Sequence, residues 1–257
     1  MTSHYRGTAV ITGASAGIGR EYAIELAQRG MDVVLVARDQ QRLSDLAESI
    51  RAMSNVRVEI LVADLSDRVD TDKICQRVAE PDIALVINNA GFGLNQTFVD
   101  SDISDEQRLL DVLVTSVLRI SHAALPGLIA RGNGGLINVS SIAGWMTSGT
   151  YSAAKSWLTT FSQSLFLQCR GSGVHVIAVC PGFTRTEFQT RAKMSTETIP
   201  SWMWLEARDV VLASLQDFDK QHPVSVAGKR YKLMAVLVKY LPRRIVRAIS
   251  SVSRKPN

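Results

Sequence analysis

Thr12-Gly13-Ala14-Ser15-Ala16-Gly17-Ile18-Gly19 follows a short β-branched apolar run at residues 8–11. It opens a stretch in which Ile18, Tyr22, Ala23, Leu26 and Ala27 recur on one helical face. Three glycines between a strand and a helix let the chain turn tightly and let the backbone approach a pyrophosphate. The helix N-terminus adds free N–H groups and a partial positive charge. Placement after a strand and before a helix is the context that separates a phosphate loop from a plain turn. Gly30 suits the end of that first helix.

Working outward, the same alternation continues. Residues 33–36 read as a second strand, and Leu43, Leu46, Ala47 and Ile50 mark a second helix. Residues 56–62 read as a third strand, with Ile74 and Val78 on a third helix. Residues 83–87 form a fourth strand, and a long helix over about 103–131 precedes a fifth at 135–139. A helix over about 151–170 precedes a sixth strand at 174–179. Strands apolar on both sides, separated by helices, predict a parallel sheet covered on both faces. The expected fold is α/β, a single-domain, Rossmann-like doubly wound parallel sheet. Residues 1–228 would be the nucleotide-binding and catalytic domain, with about 183–205 as a loop or lid. Residues 229–257 would be a basic C-terminal helical extension.

The 257 residues are 46% hydrophobic and 21% charged, which excludes a disordered or collagen-like chain and is ample for a core. The apolar run at 233–238 is far short of the roughly 18–20 residues of a spanning helix, and residues 1–7 are polar, so neither a membrane span nor a secretory signal is expected. Cys75, Cys169 and Cys180 are widely spaced, which argues against a disulfide framework and for a reduced, cytoplasmic setting. The four histidines lack ligand-like spacing, so no metal site is expected. The net charge of +5 divides into −5 for residues 1–219 and +10 for residues 220–257, which contain no Asp or Glu. The basic balance belongs to the tail and gives no reason to expect a nucleic-acid partner.

Further motifs follow in order. Asp64-Leu65 comes after the third strand and Asn88-Asn89-Ala90-Gly91 after the fourth. Ser141 precedes Tyr151-Ser152-Ala153-Ala154-Lys155, and Pro181-Gly182 follows the sixth strand with Thr186 close behind. With the Gly-x-x-x-Gly-x-Gly loop, this set over residues 8–215 resembles the short-chain dehydrogenase/reductase family. The resemblance implies that Gly13, Ser15, Gly17, Ile18, Gly19, Asp64, Leu65, Asn89, Ala90, Gly91, Pro181, Gly182 and Thr186, with Tyr151 and Lys155, hold a nicotinamide dinucleotide. It also implies a homodimer or homotetramer built on the long fourth and fifth helices. The second strand ends Val36-Ala37-Arg38-Asp39. An Arg there suits the 2′-phosphate of NADP, where an acid would suit the ribose of NAD. NADP is therefore expected over NAD, with Ser15 as a further phosphate contact. Asp39 lies one residue from the discriminating place and reads equally as a helix N-cap.

Tyr151 and Lys155, at i and i+4, share a helix face. A nearby ammonium favours phenolate, so the expectation is a Tyr151 pKa lowered from about 10 and a phenol able to give and take a proton. The resemblance implies that Ser141 bonds the substrate oxygen, that Lys155 also holds the nicotinamide ribose, and that hydride reaches the carbonyl carbon while Tyr151 protonates the oxygen. Two features depart from the family. Leu113 stands where a fourth catalytic residue, an Asn that helps hold a water, is usual; leucine has no polar group. Ser141 and Tyr151 are ten positions apart, fewer than usual, which shortens the substrate loop. Two readings follow. One is an NADP-dependent oxidoreductase of an apolar carbonyl or secondary alcohol; the alternative is a catalytically weakened NADP-binding regulatory or interaction protein. Phe92, Trp145, Phe183 and Phe188 are candidate walls of the site, and Trp202-Met203-Trp204 the best lid candidate. The tail mixes Leu233, Val236 and Leu237 with Lys232, Lys239, Arg243, Arg244 and Arg247, and Pro242 divides it into two helical stretches. Helices docked on the core are the expectation, with peripheral membrane contact the rival.

Overall fold

The computed structural model describes residues 5–241 except 193, 195 and 198, together with 244 and 245. Strands β1 (Thr8–Thr12), β2 (Asp32–Ala37), β3 (Val58–Val62), β4 (Ile83–Asn88), β5 (Gly135–Val139) and β6 (His175–Val179) all pair in parallel. A seventh, β9 (Val224–Ser225), adds to β6 and completes the order β3-β2-β1-β4-β5-β6-β9.

Alternation along each strand explains why both faces are covered. Ala9 and Ile11 of β1, Val33 and Leu35 of β2, and Leu85 and Ile87 of β4 point to one side. There they meet α1 (Gly17–Gln28), α2 (Gln40–Met53) and α8 (Ala207–Asp219) through Tyr22, Leu26, Leu43, Ile50, Leu215 and Phe218. Val10, Val34, Val36 and Val86 point the other way, onto α3 (Arg68–Val78), α5 (Ser116–Arg131) and α6 (Gly149–Gln168). This is the doubly wound sheet that the apolar strands predict.

The long helix is α4 (Ile103–Leu110) joined to α5 through a π-helical turn, Asp111–Thr115. Its 29 residues reach a mean hydropathy of 1.6 over the most apolar window, so by length and composition alone it could cross a membrane. The expectation of no such segment weighed only the tail and is corrected here. In this fold that helix packs on α3, β4 and β5.

Residues 183–205 are not featureless. They contain β7 (Thr184–Arg185), α7 (Phe188–Arg191) and a short 3₁₀ turn, Ser201–Met203, and β7 pairs with β8 (Leu205–Glu206). The described part of the tail is α9 (Lys229–Tyr240). Tyr231 anchors it to the body: its hydroxyl donates to the Met203 carbonyl (2.7 Å) and accepts the Phe183 N–H (3.1 Å). Pro242, Arg243, Arg247 and the second tail helix lie outside the described residues.

The sheet fixes where a ligand goes. Strand order reverses between β1, whose other neighbour is β2, and β4, which continues to β5. A crevice opens at such a switch point, outside the carboxyl ends of the strands. The loops after β1, β2, β3, β4, β5 and β6 all leave the sheet at that edge.

Candidate active site

Thr12, the last residue of β1, ties the two strands at the switch point together. Its hydroxyl accepts the N–H groups of Asn89 (3.0 Å) and Ala90 (3.2 Å) and donates to the Ile87 carbonyl (3.2 Å). The Asn89 side-chain amide donates to the carbonyls of Thr12 (2.9 Å) and Gly13 (3.3 Å). The Asn89 side chain therefore holds the glycine loop in place. Gly17 has φ +55°, a left-handed conformation that side chains disfavour. Gly19 packs so closely on the Gly13 carbonyl and the Asn89 amide that a Cβ would collide with both.

Helix α1 begins without a side-chain cap. Its N-cap, Ala16, makes no side-chain hydrogen bond, and no acid stands in the first turn. Elsewhere this chain caps helices with aspartates, Asp39 on α2, Asp67 on α3 and Asp102 on α4. N–H groups left uncapped beside a glycine loop fit an anion such as a pyrophosphate.

At the end of β2, Arg38 is 61% exposed and its guanidinium reaches Asp64 at 3.5 Å. Arg108 of α4 meets the same carboxylate at 3.5 Å and lies over the Phe92 ring. Burial opposes ionisation of Asp64, but the Ser66 hydroxyl and N–H, with the two guanidiniums, hold its carboxyl below the usual range. Leu65 is buried. Asp39 accepts the Arg42 N–H (3.1 Å), so it is the N-cap of α2.

The loop after β5 and helix α6 supply the other half. Ser141 accepts the Ala143 N–H (3.1 Å), and its hydroxyl is close enough to the Tyr151 phenol to lower its pKa. Neighbouring Ser140 is turned into the packing, donating to the Lys155 carbonyl (2.8 Å) and bonded to the Thr159 hydroxyl (2.7 Å). Geometry thus separates the two serines. Lys155 is buried, with Nζ donating to the Val139 carbonyl (2.7 Å) and lying 5.8 Å from the Tyr151 ring centre. A Cβ on Gly91 would come within 3.7 Å of that ammonium.

One sequence expectation is overturned here. Burial pushes the Tyr151 phenol up to about 12, and the neighbouring Ser141 hydroxyl only partly offsets this. Burial also lowers Lys155 to about 8, with nearby Cys180 opposing. In this arrangement desolvation sets the direction for the phenol, and the Lys155 ammonium is turned to the Val139 carbonyl.

Leu113 lies in the π-helical turn and is fully buried, in one cluster with Leu109, Ala154, Phe92 and Tyr151. A Cβ on Gly91 would meet its methyl at 2.9 Å. Of the candidate lid residues, Phe188 is the one against the tyrosine, with ring centres 5.7 Å apart. Trp202 and Met203 instead line a groove of about 240 Å³ beside Tyr231 and Met234 of α9. Pro181 accepts the Ile142 N–H (3.1 Å), Gly182 lies under the Tyr231 ring, and Thr186 rests on Gly17.

Sequence reasoning missed a buried amide chain beneath the site. Asn88 Nδ2 donates to Asn138 Oδ1 (2.8 Å), and Asn138 Nδ2 donates to the Ser162 hydroxyl (2.9 Å). It joins β4, β5 and α6. The uniform polarity of Asn88 and Asn138 inside apolar strands was the available signal. Among the described residues, no three His, Cys, Asp or Glu side chains gather to hold a metal.

Residues 7–197 match the family described as short chain dehydrogenase. The chain belongs to the short-chain dehydrogenase family. A short-chain dehydrogenase from Sphingobium yanoikuyae, solved in complex with NADPH, is 34% identical with a TM-score of 0.83, over 92% of this chain and 96% of that one. The bulky-bulky ketone specific alcohol dehydrogenase from Comamonas testosteroni is 31% identical with a TM-score of 0.77, over 92% and 95% of the two chains. A very-long-chain 3-oxoacyl-CoA reductase of Anas platyrhynchos is 32% identical over 195 residues, 73% of this chain and 62% of that one. The match thus spans about three fifths of the length of that reductase.

Proposed function

We propose that this protein is an NADP-dependent oxidoreductase that reduces an apolar carbonyl compound. The observation that carries the reading is Tyr151 beside Ser141 and buried Lys155, at the same sheet edge as the uncapped α1. Gly13, Ser15, Gly17, Ile18 and Gly19 would hold the pyrophosphate, and Arg38 the 2′-phosphate. Asp64, Leu65, Asn89, Ala90 and Gly91 would line the adenosine side. Pro181, Gly182 and Thr186, with Tyr151 and Lys155, would hold the nicotinamide end. When bound, the dinucleotide supplies or accepts a hydride.

The chain's own groups handle the proton and the substrate. Ser141 offers a hydroxyl that orients a carbonyl oxygen toward Tyr151. A phenol held at about 12 stays protonated at neutral pH, so Tyr151 acts as a general acid, which suits reduction. Lys155 stands behind it and steadies the anion left after transfer. Phe188 and Phe92 give the pocket apolar walls, in keeping with the ketone and acyl substrates in the relatives' names. Arg38, with no acid at its own position, favours NADP. Free Cys75, Cys169 and Cys180 fit a reducing compartment such as the cytoplasm.

NADPH oxidation across a panel of carbonyl compounds tests this. Apolar ketones should be turned over, and Tyr151→Phe should lose at least about a hundredfold in kcat. Turnover unaffected by that change would end the mechanism.

Self-association is a second element of the reading. Leu118 and Ile129 of α5 and Leu167 of α6 are exposed, offering apolar surface for a homodimer or homotetramer. Leu233, Val236 and Leu237 of α9 are also exposed beside Lys229, Arg230 and Lys232, as peripheral contact with an anionic membrane requires. Sedimentation with and without anionic vesicles distinguishes the two surfaces.

A further inference from the structure

Three consecutive residues after β7 reach from the glycine loop to Tyr151. The Thr186 methyl group rests on Gly17 of the phosphate loop. Phe188 packs on Tyr151 and against Gly93, where a Cβ would meet its ring at 3.2 Å. Between them, both Glu187 carboxylate oxygens accept from Arg42 Nη1, at 2.8 and 2.7 Å, and one also accepts from Arg191 (2.7 Å). Arg42 stands in the first turn of α2, directly after Arg38 and the Asp39 cap, and its Nε lies 3.4 Å from Asp39. The ion pair therefore ties the first turn of α2 to the segment after β7, beside Gly17.

Two properties make this bridge exchangeable. Arg42 and Glu187 are each nearly half exposed, so the pair is weak and sensitive to salt. A phosphate presents more charge and more acceptor oxygens to a guanidinium than a carboxylate does. The 2′-phosphate of NADP belongs at the end of β2, where Arg42 sits.

Resting on the dinucleotide reading above, we propose that Glu187 is a selectivity gate. Its carboxylate occupies Arg42 and keeps the strap of residues 186–188 down. A 2′-phosphorylated dinucleotide releases the strap by taking Arg42 for itself; an unphosphorylated one enters only when the pair opens unaided. Glu187 is thus a specificity-determining residue that acts by competing with the ligand for a cation.

Stopped-flow fluorescence of NADPH and NADH binding to the whole protein tests the gate through association rates rather than turnover. With Glu187→Gln, NADH should associate about two- to fivefold faster at low salt, as loss of an exposed pair allows, and NADPH should change less than about twofold. In the unaltered protein NADH association should rise as NaCl goes from about 0.02 to 0.5 M, and in Glu187→Gln it should be flat. Arg42→Gln should also speed NADH entry, while weakening NADPH by about tenfold, the loss of one charged phosphate contact. NADH rates indifferent to both substitutions and to salt would overturn the gate and leave the dinucleotide site standing. Failure of every form to bind either dinucleotide would overturn the site and the gate together.

Discussion

Leu113 shows how much one side chain decides. It fills an apolar pocket with Leu109, Ala154 and Phe92, so an amide there would be buried without an assured partner. Leu113→Asn should cost about 2 kcal/mol in urea unfolding. It also places a polar group in the cluster that contains Tyr151 and beside Gly91, close to the Lys155 ammonium, where a water could be held. The account therefore expects kcat to rise severalfold while stability falls; a fall in both would make Leu113 packing alone. The residue types at 141, 151 and 155 were readable, because a Tyr and Lys four apart share a helix face whatever surrounds them. The direction of the tyrosine's shift was not. It depends on how much protein covers the ring, and on Lys155 turning to the Val139 carbonyl.

At the scale of elements, the clasp before β4 carries a pH dependence. Asp82 accepts from both Arg77 amino groups (3.0 and 2.9 Å) and from the Thr8 hydroxyl (2.7 Å). The Arg77 hydrogen bonds hold its carboxyl down at about 2, against 3.8 ordinarily. A carboxylate whose pKa is lower folded than unfolded stabilises the fold above the unfolded value, and that contribution disappears as pH falls through the folded one. Asp82→Asn should therefore cost about 1 kcal/mol at pH 7, a figure reduced for its exposure, and the difference should shrink between about pH 4 and pH 2. Helix α9 depends on a different close fit. Gly182 lies against the Tyr231 ring with no room for a Cβ, so Gly182→Ala should undock α9 and raise its amide exchange without unfolding β1–β6. Six strands were legible because apolar residues dominate them, even in β3 at the sheet edge, which carries Glu59. Strand β9 was not: two residues, Val224–Ser225, carry no period, and only pairing with β6 defines them. The lid residues named from composition, Trp202 and Met203, went to α9 for a related reason, since aromatic content does not say which wall a segment joins.

For the molecule as a whole, the parallel sheet explains why distant motifs form one site. Every functional loop follows a strand, and all strands of the main sheet point the same way. Thr12 and Asn89 then lock the switch point, and Asn88–Asn138–Ser162 supports it from below. That convergence was predictable from strand–helix alternation alone. The strap across it was not, because the Arg42–Glu187 pair joins residues 145 apart in sequence. In the proposed mechanism Tyr151 delivers a proton to a carbonyl that receives hydride from a dinucleotide bound at this edge. Single-turnover transfer from NADPH deuterated at the nicotinamide C4 to an apolar ketone measures it directly. Deuterium should appear on the carbinol carbon, transferred at least about a hundredfold more slowly by Tyr151→Phe at unchanged NADPH affinity. Equal transfer rates with and without the phenol, or a product free of deuterium, would contradict it.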